Sequence, residues 1–314
     1  MHVGFWGWAA FNGFILAMLA LDLGVFNRKA HVIRAKEALI WTGAWILLAL
    51  LFGAWLWLRA GPQSGIEYLT GYLAEKVLSM DNIFVMVMIF GYFGVSPVDQ
   101  HRVLFWGILG ALVLRGAFIG AGAMVLERWH WVLYLFGALL VITGLRAAFR
   151  KDEVPDLDRN PVVRMARRVL RLTDGYRGHR FWVREEGRLF ATPLLVVLFT
   201  IEATDVIFAM DSIPAVFAIT QDPFLVYTSN IFAILGLRSM YFVLADFVSR
   251  FVYLKYALSA ILVFIGAKLL FAPVYELPPL TSLAVILFSV TLAIVASIRK
   301  TSREASRETG AQSA

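Results

Sequence analysis

Two acidic stretches lie inside apolar sequence, where ionisable side chains are costly. The first reads EKVLSMDN over residues 75–82, and the second reads IEATDVIFAMDSI over residues 201–213. A charged side chain at the centre of a membrane helix costs about 2.5 to 3.5 kcal/mol on insertion scales, so such residues usually have a function and a partner. Carboxylate, amide and hydroxyl oxygens are the ligands that Mg²⁺, Ca²⁺ and Mn²⁺ prefer. The two stretches therefore predict a site for a divalent cation within a membrane.

The charge balance supports a cation site. Five acidic and three basic residues lie well inside the apolar runs, so their net charge is −2 if all of them are ionised. The alternative is structural ion pairing that only locks helices together. Glu75 would then pair with Arg115, and Arg238 would pair with Glu202 or Asp205. Three bases cannot neutralise five acids, so this alternative still leaves carboxylates for an ion. The predicted ligands are Glu75, Asp81, Asn82, Glu202, Asp205, Asp211 and Ser212, the further candidates are Met80, Met210 and Asp22, and the charge partners are Lys76, Arg115 and Arg238.

Helix geometry decides which of these side chains can meet. At about 100° per residue, Glu75 and Asn82 share one helix face, as do Asp205 and Ser212. The central aspartate of each stretch lies about 120° away from that face. Regular helices would therefore not bring both central aspartates to one ion.

A break in each helix would let the two central aspartates, Asp81 and Asp211, converge. Pro214 removes one helical hydrogen bond and favours a break just after Asp211. Broken helices with exposed carbonyl groups coordinate cations at membrane depth in transporters. We therefore expect residues 80–82 and 210–212 to face each other across unwound segments.

The residue types limit which metal ions could bind and exclude other kinds of site. The chain has no cysteine, which excludes thiolate metal sites, disulfides and a cysteine nucleophile. All five histidines lie in predicted loops or at span ends, which argues against a zinc site. Thioethers from Met80 and Met210 would favour Mn²⁺, although methionine in an apolar span is more often simple packing. The residues alone indicate a divalent cation and leave the choice among Mg²⁺, Ca²⁺ and Mn²⁺ open.

The elements that carry these residues are predicted to be transmembrane helices. The chain has 314 residues, of which 60% are hydrophobic and 16% charged, a composition typical of a polytopic membrane protein. The mean hydropathy is +0.73. We predict an all-α fold of about nine spans, because runs of about 20 apolar residues cross a bilayer. Their limits are 5–26, 39–58, 67–94, 103–125, 131–149, 191–219, 225–247, 254–272 and 280–298.

Basic residues alternate between the predicted loops. Segments 27–38 and 150–190 are rich in Lys and Arg, and the second holds eleven of them. Cytoplasmic loops carry such an excess, so we expect the N-terminus outside and the C-terminus in the cytoplasm, in the cell (inner) membrane. Topology then accounts for the net charge of +7, and no nucleic-acid partner is expected. We expect a solvated connector over 150–190, with a short helix over 164–172 on the anionic leaflet as the alternative.

Three consecutive spans repeat within the chain. Residues 67–149 match residues 191–272, since EKVLSMDNI aligns with DVIFAMDSI, LRGAF with LRSMYF, and YLFGALLVITGLR with YALSAILVFIGAK. An odd number of spans makes the two copies cross the membrane in opposite senses. Inverted repeats are typical of transporters whose substrate binds near the midplane. We expect one transporter domain over 1–300, a basic cytoplasmic loop over 150–190, and a disordered cytoplasmic tail over 301–314.

The strings LDLGVFNRKAH, EYLTGYLAEKVLSMDNIFV, TIEATDVIFAMDSIPAVFAIT and NIFAILGLRSMYFVL resemble the TerC family of integral membrane proteins, and in particular its Alx branch. The resemblance runs from about residue 10 to about residue 290. It implies a role in metal homeostasis, because the family is named for tellurium (tellurite) resistance and its Alx-like members are described as manganese exporters. It also implies membership of the LysE-like transporters. The five predicted acids would correspond to the intramembrane acids implicated in manganese handling.

Three functions from different classes follow. The first is a secondary exporter of Mn²⁺ in which Glu75, Glu202 or Asp205 could carry protons in exchange. The second is a membrane scaffold or assembly factor that supports tellurite resistance without transport. The third, an intramembrane aspartyl hydrolase using Asp81 and Asp211, is disfavoured because the glycine pattern of such enzymes is missing. We therefore expect no enzyme activity and no catalytic cofactor, with Mn²⁺ as the transported ion; the sequence does not determine the oligomeric state.

Overall fold

The computed structural model describes residues 3–21, 35–149, 163–165, 168, 170–185, 187–245, 253–274 and 277–312. Within them the chain forms ten helices of at least eight residues and one antiparallel hairpin. The predicted all-α class is confirmed, with the hairpin as a small addition. The helices are α1 (Phe5–Leu21), α2 (Ala35–Ala60), α3 (Pro62–Phe93), α4 (Pro97–Arg128), α5 (Val132–Phe149), α6 (Pro193–Phe217), α7 (Pro223–Leu235), α8 (Leu237–Leu244), α9 (Leu254–Phe271) and α10 (Pro279–Gln312), and the strands are β1 (Trp182–Glu185) and β2 (Arg188–Ala191).

Six helices of the described chain are long and apolar enough to cross a membrane, namely α2, α4, α5, α6, α9 and α10. Helix α1 is apolar but has only 17 residues. Many of their large side chains are exposed on the protein surface, as expected where lipid is the solvent. The largest buried cluster includes Phe11, Tyr68 and Phe232, which join α1, α3 and α7. The polytopic architecture is therefore confirmed, whereas the predicted count of nine spans is not.

The predicted seventh span is two shorter helices, α7 and α8, separated by a turn at Gly236. The Lys76 ammonium group reaches this turn from α3 and donates a hydrogen bond of 3.2 Å to the Ala233 carbonyl. A Cβ atom at residue 236 would lie 2.6 Å from Lys76 Nζ, so the glycine leaves room for the cation in this position. A positive charge at the C-terminal end of α7 is favoured by the helix dipole. Lys76 therefore stabilises a helix end.

Helices α5 and α9 pack closely and antiparallel. A Cβ atom at Gly266 would lie 2.6 Å from the Gly137 carbonyl oxygen, and one at Gly144 would lie 2.9 Å from the Ser259 carbonyl oxygen. Ser259 Oγ also donates to the Gly144 carbonyl at 2.6 Å. In the sequence alignment of the repeats, Gly137 matches Ser259 and Gly144 matches Gly266, so the two contacts exchange as a two-fold relation requires. This packing agrees with the inverted repeat over 67–149 and 191–272, which stays a prediction.

Helices α3 and α6 also run antiparallel against each other. A Cβ atom at Gly71 would contact Val216 at 3.2 Å, and Asn82 donates a hydrogen bond to Asp205. Both helices are continuous, and α6 contains Pro214 without interruption. The expected unwinding at 80–82 and 210–212 is therefore wrong. Proline removes one backbone donor, and the contacts along the helix on both sides of it hold the remaining turns in place.

Four loops hold few basic residues, near residues 59–65, 128, 221–222 and 272–279, and described residues from all four meet at one end of the molecule. They surround a cavity of about 670 Å³, whose charged lining side chains include Glu67 and Lys268. Glu67 accepts hydrogen bonds from Thr220 Oγ1 at 2.6 Å and from Gln63 Nε2 at 2.7 Å. All four loops lying at one end agrees with the alternation of loop charge. The assignment of this end to the outside of the cell stays a prediction.

The hairpin of β1 and β2 lies at the opposite end, within the predicted basic loop. Tyr176 Oη donates to the Phe93 carbonyl at 2.7 Å, and His179 Nδ1 lies 2.6 Å from Asp99 Oδ1. Burial and the nearby Asp99 carboxylate raise the pKa of Tyr176, so its phenol stays protonated as a donor. The described part of this segment is thus tied to α3 and α4 and is not only a solvated connector. The alternative helix over 164–172 does not extend to residues 170–172.

The C-terminal helix α10 continues beyond its apolar part to Gln312. The sequence predicts a disordered tail over 301–314, and the structure gives a helical backbone to 301–312. Arg, Glu and Ala are good helix formers, so extending a formed helix through this polar segment costs little. The predicted division of the chain into domain, loop and tail otherwise stays a prediction.

Candidate functional site

Arg115 of α4 lies at the centre of a buried cluster of charged and polar side chains. Its Nε and Nη2 atoms donate to the two carboxylate oxygens of Asp205 on α6, at 3.1 and 2.8 Å. Its Nη1 atom donates to Glu75 on α3, and to Asn230 Oδ1 on α7 at 2.8 Å. Glu75 and Arg115 have no exposed surface. The planar guanidinium group thus holds carboxylates from both predicted repeats in a charge-assisted network.

Two further side chains complete this cluster. Asn82 Nδ2 donates to Asp205 Oδ1 at 3.2 Å, and Ser79 Oγ lies 3.4 Å from Glu75 Oε1. The buried oxygens that have no hydrogen-bond partner among the described residues include Glu75 Oε2, Asn82 Oδ1 and Ser212 Oγ. Buried polar atoms in proteins are nearly always paired, and each exception needs an explanation. Oxygens with free lone pairs beside two carboxylates are suited to a cation.

Two small cavities flank Asp205. One of about 20 Å³ is lined by Glu202, Asp205 and Arg238 together with apolar side chains of α4, α6 and α7. The other, of about 10 Å³, is lined by Asp205 with Asn82 and Thr204. A cavity of roughly 10 to 15 Å³ holds about one water molecule. The cluster therefore has room for single small ligands and is separate from the large cavity at the end of the molecule.

Glu202 lies one helical turn before Asp205 and points at α4. A Cβ atom at Gly110 would lie 2.6 Å from Glu202 Oε2, so the absence of a side chain at Gly110 makes room for the carboxylate. Gly107 lies one turn earlier on the same face of α4, and a Cβ atom there would lie 3.8 Å from Glu202 Oε1. Glu202 Oε2 is buried and has no hydrogen-bond partner among the described residues. This carboxylate is therefore available to a proton or an ion.

The other predicted ligands lie outside this cluster. Asp81 is exposed at the surface of α3, and Asp211 is half-buried and accepts a hydrogen bond of 3.2 Å from Thr143 of α5. Met210 is 55% exposed, and Met80 packs against the apolar core. Asp22 lies outside the described residues. The structure thus brings together residues of the shared helix faces and leaves both central aspartates apart from them.

The predicted ion pairs are confirmed in part. Glu75 pairs with Arg115 as expected. Asp205 also pairs with Arg115, and Arg238 borders the small cavity that Glu202 and Asp205 line. Within the described residues, no group of three or more His, Cys, Asp or Glu side chains is placed to hold a metal ion. Any ion at the cluster would therefore use amide or hydroxyl oxygens beside its two carboxylates.

Sequence reasoning missed several contributors to the cluster. Asn230 is a polar residue in an apolar span, eight positions before the predicted charge partner Arg238. That placement alone marks it as functional by the same argument that selected the acids. Gly110 and Ser79 gave no such signal, because glycine and serine are frequent in membrane helices.

Comparison with known proteins identifies the family. Residues 60–305 match the integral membrane protein TerC family. This chain belongs to the TerC family. An uncharacterized membrane protein of Myxococcus xanthus, STKORF319, is 52% identical over 293 residues, which cover 93% of this chain and 92% of that protein. No solved structure matches this TerC chain.

Other TerC-related proteins carry the name Alx. The Alx protein of Salmonella typhi is 46% identical over 297 residues, covering 92% of each chain. The Alx protein of Escherichia coli K12 is 46% identical over 289 residues, covering 89% of this chain and 90% of its own. Their names describe them as proposed membrane-bound redox modulators. The chain is therefore an integral membrane protein similar to Alx over most of its length.

Proposed function

We propose that this TerC protein is a secondary transporter that exports a divalent cation, with Mn²⁺ as the preferred ion, from the cell across its inner membrane. The observation that carries the proposal is the meeting of Glu75 and Asp205. The two carboxylates come from α3 and α6, which pack antiparallel, and they are joined by Arg115. Transporters that are built from inverted repeats bind their substrates at the interface between the repeats. The unpaired oxygens of Glu75 and Asn82 supply further ligands.

The ligand chemistry supports a divalent ion. Two carboxylates carry the charge that matches one such ion, and the amide and hydroxyl oxygens are hard ligands suited to Mn²⁺, Mg²⁺ or Ca²⁺. The choice of Mn²⁺ as the ion and of export as the direction comes from the resemblance to Alx-like proteins. Asp81, Asp211 and the two methionines remain proposed ligands that would act in another conformation, because they lie outside the cluster in this one.

We propose Glu202 as the proton carrier. It adjoins Asp205 at the same small cavity, and one of its buried oxygens is unpaired among the described residues. An ion that binds at Asp205 would favour loss of a proton from Glu202, since a nearby positive charge stabilises the carboxylate. Proton and metal would then move in opposite directions.

Reconstituted protein tests this function directly. Proteoliposomes should accumulate Mn²⁺ with saturation, and a pH gradient imposed to drive proton counter-movement should speed the uptake. Protein-free vesicles give the background rate, and Mg²⁺ and Ca²⁺ added as competitors rank the ions. Wild-type vesicles that take up no more Mn²⁺ than empty ones would reject the transporter.

Gly110→Ala should slow transport while the fold is retained. The new methyl group would occupy the position of the Glu202 carboxylate and force that side chain into another rotamer, at about 1 to 3 kcal/mol of overpacking. We expect Mn²⁺ uptake to fall about tenfold, as for loss of about 1.4 kcal/mol at the transition state. Gly120→Ala on the same helix is the matched control, because nothing lies within 4 Å of its Cβ position. Equal uptake rates in the two variants would contradict a role for Glu202.

The second candidate function is a membrane scaffold or redox modulator, and the names of the Alx relatives favour it. This chain has no cysteine, so a redox role through its own thiols is excluded. A scaffold would support tellurite resistance in cells even though the purified protein takes up no Mn²⁺ into vesicles. The vesicle measurement therefore separates the two candidates.

A further inference from the structure

Arg115 pairs with two carboxylates of the cluster but leaves neighbouring buried oxygens without a partner among the described residues. Its three nitrogens contact carboxylates from two helices, yet Glu75 Oε2 and Asn82 Oδ1 stay unpaired among the described residues. An unpaired buried oxygen is costly in an ion pair that only fixes helices, so the presence of two such oxygens beside Arg115 favours a role as ion ligands. The arrangement instead leaves ligand atoms next to a positive side chain.

The charges explain why a cation must always be present. Glu75 and Asp205 together carry two negative charges in the buried interior, and burial without a cation is strongly unfavourable. A transporter that releases its metal ion on one side must return through the membrane without that ion. Some positive charge has to replace the ion during that return.

We infer that Arg115 is a tethered counter-cation, which occupies the place of the transported ion when the site is empty and is displaced from Glu75 and Asp205 when the ion binds. The inference rests on the proposed function. Asn230 Oδ1 accepts a hydrogen bond from Nη1 at 2.8 Å and gives the displaced guanidinium group a neutral partner to keep. The ion and Arg115 therefore compete for one pair of carboxylates.

Lys76 provides a matched comparison. It is a second cation on the same stretch of α3, and its amine binds the Ala233 carbonyl at a helix end. Removing Lys76 should weaken the fold in a way that no metal ion repairs. Removing Arg115 should weaken the fold in a way that a metal ion does repair, because the ion supplies the missing positive charge.

Thermal unfolding of the purified full-length protein, with and without MnCl₂, tests this difference. We expect Arg115→Met to lower the Tm by about 10 °C without metal, as for breaking a buried ion pair in a chain of this size. Saturating Mn²⁺ should restore most of the loss. Lys76→Met should gain no more from Mn²⁺ than the wild type gains.

A second variant keeps the test decisive if Arg115→Met does not fold. Arg115→Lys retains the charge but loses the planar fork that binds both carboxylates. Because a weaker competitor raises the apparent affinity for the ion, we expect the half-saturating Mn²⁺ concentration to fall about tenfold. Unchanged or weaker Mn²⁺ binding by Arg115→Lys would overturn the inference.

Flux measurements separate this inference from the proposed function. In vesicles, Arg115→Met should exchange internal for external Mn²⁺ near the wild-type rate, while its net uptake falls at least about tenfold because the empty site cannot return. If the wild type transports Mn²⁺ but Mn²⁺ does not stabilise Arg115→Met, only the inference that Arg115 is a counter-cation is rejected. A wild type without transport would reject both.

Discussion

Asp205→Asn is expected to abolish net Mn²⁺ transport. Asp205 accepts two hydrogen bonds from Arg115 and one from Asn82, so it is the most highly coordinated acid of the cluster. The amide removes one of two negative charges from the ion site and can accept through only one of its two terminal atoms. We expect uptake to fall at least about 100-fold, which corresponds to roughly 3 kcal/mol of lost ion binding.

The same substitution should also destabilise the fold. Breaking a buried ion pair by removing one partner costs about 3 to 5 kcal/mol, because the other charge is left uncompensated. Arg115 keeps Glu75 in this variant, so we expect the lower end of that range. Thermal unfolding and size-exclusion profiles, recorded beside the uptake rates, show how much of the loss comes from unfolded protein.

Glu185→Gln is the control for Asp205→Asn. Glu185 pairs with Arg177 at 2.8 Å, but both side chains are more than 40% exposed on the hairpin. Exposed ion pairs contribute little to stability because water and salt screen them, so both stability and uptake should stay close to the wild type. Wild-type uptake by Asp205→Asn would show that the cluster is structural and would refute the proposed ion site.

Residue spacing predicted the cluster better than the expectation of broken helices did. The seven-residue separations placed Glu75 with Asn82 and Asp205 with Ser212, and all four side chains are buried. The same geometry placed the central aspartate of each stretch on another face. The assumption of unwinding overrode that result and was wrong, because α3 and α6 stay continuous.

Partner choice could not be read from the sequence. Arg115 and Arg238 occupy matching positions in the repeat alignment, and the sequence interpretation assigned each arginine to acids of its own repeat, with Arg238 beside Glu202 or Asp205. Only the packing of α4 against α6 brings Arg115 to that carboxylate, and Gly110 permits the approach of Glu202. Contacts between helices that are distant in sequence depend on how their side chains fit together. No periodic pattern in a single sequence shows that fit.

The hairpin and the α7–α8 turn illustrate the same limit at other places in the fold. Short strands in a basic loop leave little periodic signal, and the two strands have only four residues each. At the turn, Gly236 adjoins Lys76, which lies in a different helix. Apolar run length predicted where most helices lie, but it could not show where one span divides.

Gly266→Ala is expected to destabilise the protein by about 3 kcal/mol, the upper part of the range for overpacking. The added methyl group would lie 2.6 Å from the Gly137 carbonyl oxygen and 2.9 Å from the Val141 backbone nitrogen. Backbone atoms cannot rotate away as a side chain can, so α5 and α9 would have to separate. Small residues allow such close approach between membrane helices, and the contact energy depends on it.

A symmetric variant turns this stability test into a test of the repeat. Gly144→Ala would place its methyl group 2.9 Å from the Ser259 carbonyl oxygen, the counterpart contact under the repeat alignment. If α5 and α9 are related by a two-fold axis, the two variants should lose stability within about 1 kcal/mol of each other. Thermal unfolding in one detergent gives both values.

Gly120→Ala in α4 provides the reference for both glycine variants. No atom lies within 4 Å of its Cβ position, so alanine should stabilise the helix by up to about 1 kcal/mol. A large loss for Gly266→Ala with no loss for Gly144→Ala would mean that the α5–α9 contact is not symmetric. The two halves would then lack the inverted relation that places a shared ion site between Glu75 and Asp205, and the transporter proposal would lose its structural basis.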